Sequence, residues 1–264
     1  MKQLTILQAI QSKETFSQDV CNKENIGLEI QDFTEVNVFQ ENFADSLDYY
    51  LARREKIRGP FAIHGAFIDL KPYSYDRAIQ EASMFKYRMS LNMAVLLRAD
   101  YLVFHSQINP FVQSSLLMDL DRKENKRVFH TLMEEFSSFK GYVLLENVYE
   151  DDPRRLRDLV DAIDHPRVQV NLDLGHARLS KKFSLDQWFD ILGDRIRYSH
   201  VHWNNGEVDQ HMPPGPEERI EILSLFQRHG LNVPLSLEYF PRDILKEVAL
   251  FQEAIDQRGL DYVL

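Results

Sequence analysis

The chain has almost no cysteine and no long apolar segment. Its 264 residues contain one cysteine, Cys21. An internal disulfide and a zinc site built from several cysteines are therefore excluded, and a reducing, cytoplasmic compartment is predicted. No apolar run approaches the ~18 residues that a membrane span needs. The first residues also lack the apolar core of a secretory signal, so we expect no membrane partner.

Positive charge is also in deficit. The chain carries 31 Lys and Arg against 41 Asp and Glu, a net charge of −10 with histidines neutral. An acidic chain lacks the field that attracts nucleic acid, so DNA is a less favourable partner than a small molecule. The fractions of apolar (44%) and charged residues (27%) are those of an ordinary folded protein. Nine histidines in a cysteine-poor chain are the feature to follow.

Short apolar runs alternate with longer stretches of helical spacing along the whole chain. The runs predicted as strands are Leu4–Gln8, Ile26–Ile30, Phe61–His64, Tyr101–His105, Tyr142–Glu146, Val168–Asp173, Ile196–His202 and Val233–Glu238. The stretches predicted as helical are Asp45–Ile57, Ser74–Leu97, Asn109–Phe139 (read as more than one helix), Pro153–Ile163, Leu185–Leu192, Pro216–His229 and Pro241–Gln257.

This alternation predicts the fold. Most of the apolar runs show little polar alternation, as do strands that are buried on both faces of a parallel sheet. Eight units in 264 residues give 264/8 = 33 residues each, which is close to the size of a strand–helix unit. The sequence therefore predicts one (β/α)₈ TIM barrel, a single domain over residues 1–264. A doubly wound open sheet is the alternative.

Ligand-type side chains end or closely follow the last six predicted strands. They are five imidazoles and four carboxylates: His64, His105, Glu146, Asp173, His176, His202, Asp209, His211 and Glu238. The carboxyl ends of barrel strands converge on the face that carries the chemistry of such enzymes. Each residue alone is as well explained by a helix cap or a structural hydrogen bond. Together they predict a site for divalent metal, with zinc first and manganese or iron as alternatives.

The same residues, with His202-Trp-Asn-Asn205 after the seventh strand, resemble endonuclease IV (AP endonuclease family 2), a branch of the xylose isomerase-like barrel superfamily. All nine ligand positions of that family's three-zinc site have the same residue type here. The resemblance implies one ion at His64, His105 and Glu146. Glu146 would bridge to a second ion at Asp173, His202 and Glu238, and a third would lie at His176, Asp209 and His211. The implied reaction is phosphoester hydrolysis by a metal-bound hydroxide.

Other features of the resemblance concern the substrate. Phe67 stands where those enzymes carry an aromatic that enters DNA, and Arg178, Lys181 and Lys182 form a basic loop that we expect to face a phosphate. The alternative for these three is a solvated surface. The acidic loop 31–42 offers no arginine, and the first strand lacks the expected histidine. We therefore favour a small phosphorylated or sugar substrate over DNA.

Two other functions stay open. Sugar isomerases and epimerases of the same superfamily use one divalent ion, and their ligands resemble Glu146, Asp173, His202 and Glu238. The two glutamates are then the catalytic acid and base. The second alternative is a non-catalytic barrel that only binds a ligand. The number of ligands favours the hydrolase. His200, two residues before His202, is left open as a supporting residue.

Overall fold

Eight parallel strands close into a barrel, as the sequence predicted. The computed structural model describes residues 1–34 and 42–264, with the backbone alone at Cys21 and Asn22. Each strand pairs with the next, and the eighth pairs with the first. The strands are β1 (Ile6–Ile10), β2 (Ile26–Ile30), β3 (Phe61–His64), β4 (Tyr101–His105), β5 (Tyr142–Glu146), β6 (Val168–Asp173), β7 (Ile196–Val201) and β8 (Leu235–Leu237). Lys2–Gln3 and Tyr262–Val263 pair separately.

Helices follow the strands around the outside of the barrel. Within the described residues they are α1 (Phe43–Arg54), α2 (Arg77–Leu96), α3 (Ser115–Glu135), α4 (Pro153–Ile163), α5 (Leu174–Leu179), α6 (Leu185–Leu192), α7 (Pro216–Arg228) and α8 (Ile244–Arg258). The six-residue α5, directly after β6, was not predicted. The segment 109–139, expected to hold more than one helix, forms the single helix α3 after a loop. None of the described helices has both the length and the apolar composition to span a membrane.

The barrel interior changes from apolar to polar along its axis. A small buried cluster of Leu7, Ala62, Val103, Leu144 and Tyr198 fills one layer. Successive strand side chains alternate between the interior and the helices. Within β7, Tyr198 and His200 therefore share a face, and His202, one residue past the strand, continues it. The polar layers lie toward the carboxyl ends of the strands.

The acidic loop 31–42 is described only in part. Residues 35–41 lie outside the described residues, so the expectation that this acidic loop, which has no arginine, does not enter DNA stays a prediction. Asp32–Thr34 forms a short 3₁₀ helix, and Asp32 is buried with the Tyr50 hydroxyl donating to its carboxylate at 2.5 Å.

Candidate metal centre and active site

All nine predicted ligands lie at the carboxyl ends of the strands. Seven of them line one pocket of about 500 Å³, here called the central pocket: His64, His105, Glu146, His176, Asp209, His211 and Glu238. Asp173 and His202 are fully buried beside it. The described residues form three groups whose candidate ligand atoms lie within 4.8 Å of one another. The nine side chains that the sequence singled out therefore lie at one end of the barrel, and the structure shows which of them are close to one another.

The first group contains His64, His105 and Glu146. The Nε2 atom of His64 lies 3.5 Å from Oε2 of Glu146. Its Nδ1 lies 3.0 Å from the Gly65 carbonyl, which orients the ring with Nε2 toward the carboxylate. The ring of His105 stacks on Phe67 with centroids 4.0 Å apart. Burial lowers the pKa of His105 to about 3, so its imidazole is neutral, the form that binds metal.

The second group contains Glu146, Asp173, Glu238 and His200. Nδ1 of His200 is 3.2 Å from one oxygen of Glu146 and 3.2 Å from one of Glu238. It is 3.7 Å from Asp173. His200, left open from the sequence, is thus central to the group in which the resemblance placed His202. His202 also reaches Asp173, with its Nε2 3.0 Å from Oδ1.

The third group contains His176, His202, Asp209 and His211. One oxygen of Asp209 lies 3.2 Å from Nε2 of His176 and 3.1 Å from Nε2 of His211. The rings of His202 and His211 stack face to face at 3.9 Å. Nδ1 of His211 lies 2.7 Å from the Glu238 carbonyl. Burial lowers the pKa of His211, but its bond to Asp209 outweighs burial and raises that pKa to about 9.

A buried polar layer supports these groups, and sequence reasoning missed it. Glu29 on β2 is fully buried and lies 3.0 Å from Nε2 of His200. It also accepts a hydrogen bond of 2.6 Å from the Tyr198 hydroxyl. Gln31 donates to both Glu29 and Glu238, at 3.1 and 2.8 Å. The available signal was an acidic residue inside the otherwise apolar run Ile26–Ile30.

Electrostatics tie the carboxylates to the histidines. Burial raises the pKa of Glu146, but the charge of His200 and the close contacts of the carboxylate with His176, His200 and His64 outweigh it and bring that pKa well below its ordinary value. Burial likewise raises the pKa of Glu29, and the charge of His200 overcomes it and leaves the pKa at about 2. The buried carboxylates of Glu29 and Glu146 are therefore kept ionised by positive charge centred on His200.

A divalent cation fits these donors. In the described part of the chain, three buried atoms of these groups make no hydrogen bond of normal geometry, although charged neighbours lie close: Nδ1 of His200, Nδ1 of His202 and Oε2 of Glu238. Buried polar atoms are normally paired, and nitrogen and carboxylate donors without sulfur suit zinc, manganese or iron. These three atoms lie where a cation would satisfy them.

Two asparagines and a glycine fix the backbone around Asp173. Asn147 donates to the Asp173 carbonyl and accepts from its amide, each at 2.9 Å. The Asp173 side chain caps α5 by accepting from the His176 amide at 2.6 Å. Asn204 donates to the Gly175 carbonyl at 2.7 Å. Asp173 and His176 are therefore held by the start of α5, which explains the Asp-x-x-His spacing.

The four residues predicted to contact substrate fall in different places. Phe67 lines the central pocket. Arg178 instead lies 3.7 Å from the ring of Trp203 and borders a separate cavity. Lys181 donates to the Gly206 carbonyl and Lys182 pairs with Asp151. These three basic residues are not among the described residues that line the central pocket. Arg178 lies on α5, and Lys181 and Lys182 follow that helix in a loop where their side chains meet other loops.

The comparison with protein families matches residues 31–259 to the xylose isomerase-like TIM barrel. The chain belongs to this family. One curated relative, uncharacterized protein MJ1311 of Methanocaldococcus jannaschii, is 24% identical over 224 residues, which cover 80% of this chain and 75% of that protein.

Solved structures of the same fold cover nearly the whole chain. A D-tagatose 3-epimerase-like protein aligns with TM-score 0.78 and 19% identity, over 97% of this chain and 98% of its own. The TTHB071 protein from Thermus thermophilus, soaked with ZnCl₂, aligns with TM-score 0.74 and 18% identity, over 96% and 99%. The similar structures are mainly of sugar epimerases and isomerases by their names. At these identities the likeness establishes the fold.

Proposed function

We propose that this protein of the xylose isomerase-like family is a metal-dependent sugar isomerase or epimerase. The observation that carries the proposal is the pair Glu146 and Glu238. They come from β5 and from the residue after β8, with two strands between them in the barrel, and both line the central pocket. Each has a carboxylate oxygen 3.2 Å from the same nitrogen of His200. The predominance of sugar epimerases among the similar structures supports the same reaction class.

The residues suit transfer of a proton at a carbon next to a carbonyl. A divalent ion held by Glu146, Asp173, Glu238 and a histidine (His200 or His202) would polarise the substrate carbonyl and acidify the adjacent C–H bond. One glutamate removes the proton and the other returns one. Gln31 holds one oxygen of Glu238 at 2.8 Å, and Asn171 donates to Glu146 at 3.1 Å. Each carboxylate is thereby fixed in orientation.

Zinc is the proposed metal, with manganese and iron as alternatives. Proton transfer would use the one ion held by Glu146, Asp173 and Glu238, and the three ligand groups together are proposed to hold two or three ions. Support comes from the three ligand groups and from their sulfur-free composition. The proposed substrate is a small sugar or sugar phosphate. Phe67, which stacks on His105 at the pocket wall, is proposed to contact it.

Deuterium uptake tests the reaction. The metal-loaded protein is incubated in deuterated water with a panel of ketoses and their phosphates, and uptake next to the carbonyl is followed by NMR. We expect exchange with at least one sugar, reduced about 10²–10⁴-fold by Glu146→Gln or Glu238→Gln. Glu247→Gln is the matched control, because Glu247 pairs with Arg219 outside the site. Absence of exchange across the panel would exclude the proposal.

Phosphoester hydrolysis is the second candidate, and the outer group of His176, Asp209 and His211 favours it. One-metal proton transfer does not need these three ligands, whereas three divalent ions would outweigh the site's four carboxylates and attract a phosphate. Elemental analysis of zinc- or manganese-saturated protein tests it. The hydrolase candidate predicts two or more ions per chain together with cleavage of bis(p-nitrophenyl) phosphate. Fewer than two ions would exclude the multinuclear site.

A further inference from the structure

A second cavity opens beside the central pocket. It has a volume of about 690 Å³ and shares Val148, Tyr149, His176 and Leu179 with the central pocket. Its other walls are residues 107–111, which follow β4, and residues 150, 151 and 180. We call this cavity the annex. Because the two cavities share this wall, whatever occupies the annex borders the pocket in which the reaction is proposed.

Two aromatic rings stand open to solvent at the annex. Phe111 is 89% exposed and Tyr149 is 75% exposed. Scattered single exposed apolar residues need no explanation, but two large rings around one cavity form a patch of the kind that binds ligands. Ile108 and Leu179, both half-buried, continue this apolar wall.

A buried carboxylate ties together the two loops that carry these rings. Glu150 is 4% exposed. Its Oε2 accepts the amides of Val148 and Tyr149 at 2.8 and 3.0 Å. Its Oε1 accepts the hydroxyl of Ser106, whose oxygen in turn accepts the Ile108 amide at 3.1 Å. Glu150 takes no part in the proposed reaction, and its bonds serve to hold the Tyr149 loop to the loop of Phe111.

The loop of Phe111 is anchored a second time. Arg155 on α4 donates to the carbonyls of Asn109 and Val112 at 3.0 and 3.3 Å. The Asn109 side chain accepts the Phe111 amide at 2.9 Å. The Phe111 ring is therefore exposed on an ordered turn. A ring held in place before binding loses little conformational entropy when a ligand stacks on it.

The charges of the annex are already satisfied. Asp151 pairs with Lys182, and Glu150 accepts hydrogen bonds at both oxygens. His176, in the shared wall, faces Asp209 at 3.2 Å. Apart from it, the described residues that line the annex offer no free cation to a phosphate and no free anion to an amine. Its exposed faces are those of a tyrosine and a phenylalanine, which suit the apolar face of an uncharged ring.

We propose that the annex is a subsite for a second, uncharged ring of the substrate, so that the substrate is a glycosylated sugar. The inference rests on the proposed function for the ring that reacts. The reacting sugar occupies the central pocket, and the second sugar ring stacks on Tyr149 and Phe111.

Saturation-transfer NMR on the zinc-loaded protein tests the subsite. The probes are D-fructose and four fructose-containing disaccharides: turanose, maltulose, lactulose and isomaltulose. At least one disaccharide should bind about tenfold more tightly than fructose, with saturation on protons of both rings. Phe111→Ala, at a residue that lines the annex but not the central pocket, should remove most of this preference and the saturation of the second ring, and leave fructose binding unchanged. Tyr149→Ala, in the wall that the two cavities share, should also remove the preference for the disaccharide.

Tyr75→Ala is the matched control, because Tyr75 is 60% exposed and borders neither cavity. Circular dichroism spectra that match the wild type show that the variants are folded. Disaccharides that bind no better than fructose, or variants that keep the preference, overturn the subsite. Failure of the subsite proposal can be told apart from failure of the proposed reaction. The subsite is tested by binding alone, without turnover, whereas deuterium exchange on fructose tests the reaction without use of the annex.

Discussion

Gly175 lies between Asp173 and His176, where the first turn of α5 meets the ring of His202. A Cβ atom built on Gly175 would lie 2.0 Å from Cε1 of His202 and within 2.4 Å of both ring nitrogens. Ordinary van der Waals contact begins near 3.4 Å. The ring would have to move by more than 1 Å to accept Gly175→Ala. His202 cannot do this freely, because it stacks on His211 at 3.9 Å and contacts Asp173 at 3.0 Å.

Two opposing effects decide the stability of Gly175→Ala. Replacement of glycine by alanine inside a helix favours folding by about 1 kcal/mol. Overpacking of a buried site costs about 1–3 kcal/mol. Because the contact is with a buried ring that cannot move freely, we expect the upper part of that cost, about 2–3 kcal/mol, and therefore a net loss of about 1–2 kcal/mol. For a chain of this size, that corresponds to a decrease of roughly 2–8 °C in Tm.

The assay compares metal-free and zinc-loaded protein. Scanning calorimetry of the metal-free proteins should show the lower Tm for Gly175→Ala than for the wild type. Titration with zinc against a chelator should show weaker zinc binding by the variant, because the His202 ring moves away from Asp173. Gly215→Ala is the control, since its Cβ would meet only the flexible carboxylate of Glu218, at 2.5 Å. If Gly175→Ala keeps both the Tm and the zinc affinity of the wild type, the packing argument is refuted.

Further predictions concern the supporting layer and the outer group. Glu29→Gln, which keeps the shape but removes the charge opposite His200, should weaken zinc binding about 10–100-fold by chelator competition. An unchanged affinity would contradict a supporting role for Glu29. The pKa of His211 rises from 6.5 to about 9 in the metal-free fold, so its stabilising effect is complete below pH 6.5 and is lost as the pH rises through 9. The Tm difference between metal-free wild type and His211→Gln should therefore narrow from about pH 6.5 to about pH 9.5. A constant or widening difference would contradict this assignment.

The barrel could be predicted from the sequence because strands that are buried on both faces appear as unbroken apolar runs. The bounds of β2 to β6 were predicted to the residue, whereas β1 begins and ends two residues later than predicted and β8 is shorter than expected. His202 and Glu238 lie one residue beyond their strands. Side-chain direction alternates along a strand, so both still face the pocket with the other ligands. The helix α5 was missed because six residues are too few to show a helical period.

The supporting layer could not be predicted in the same way. Glu29 and His200 are 171 residues apart in sequence and meet only because of the register around the closed barrel. A single sequence shows which side chains can bind metal, but it does not show which strand neighbours face each other across the interior. For the same reason, the basic run Arg178–Lys182 gave no indication that its charges would turn to Trp203, Gly206 and Asp151.

The outer ligand group bears on the choice between the two proposed reactions. His211 has a φ of 46°, in the left-handed region that side chains other than glycine rarely adopt. Phe240, which also lines the central pocket, has a φ of 55°. Such strain costs on the order of 1 kcal/mol per residue and concentrates at functional sites. Proton transfer by Glu146 and Glu238 needs only the buried central group, so the strained position of His211 at the pocket favours a binding role for His176, Asp209 and His211. If these three residues bind a further ion, a sugar isomerase of this design would hold a cation beside its reacting carbon, placed to receive a phosphate of the substrate.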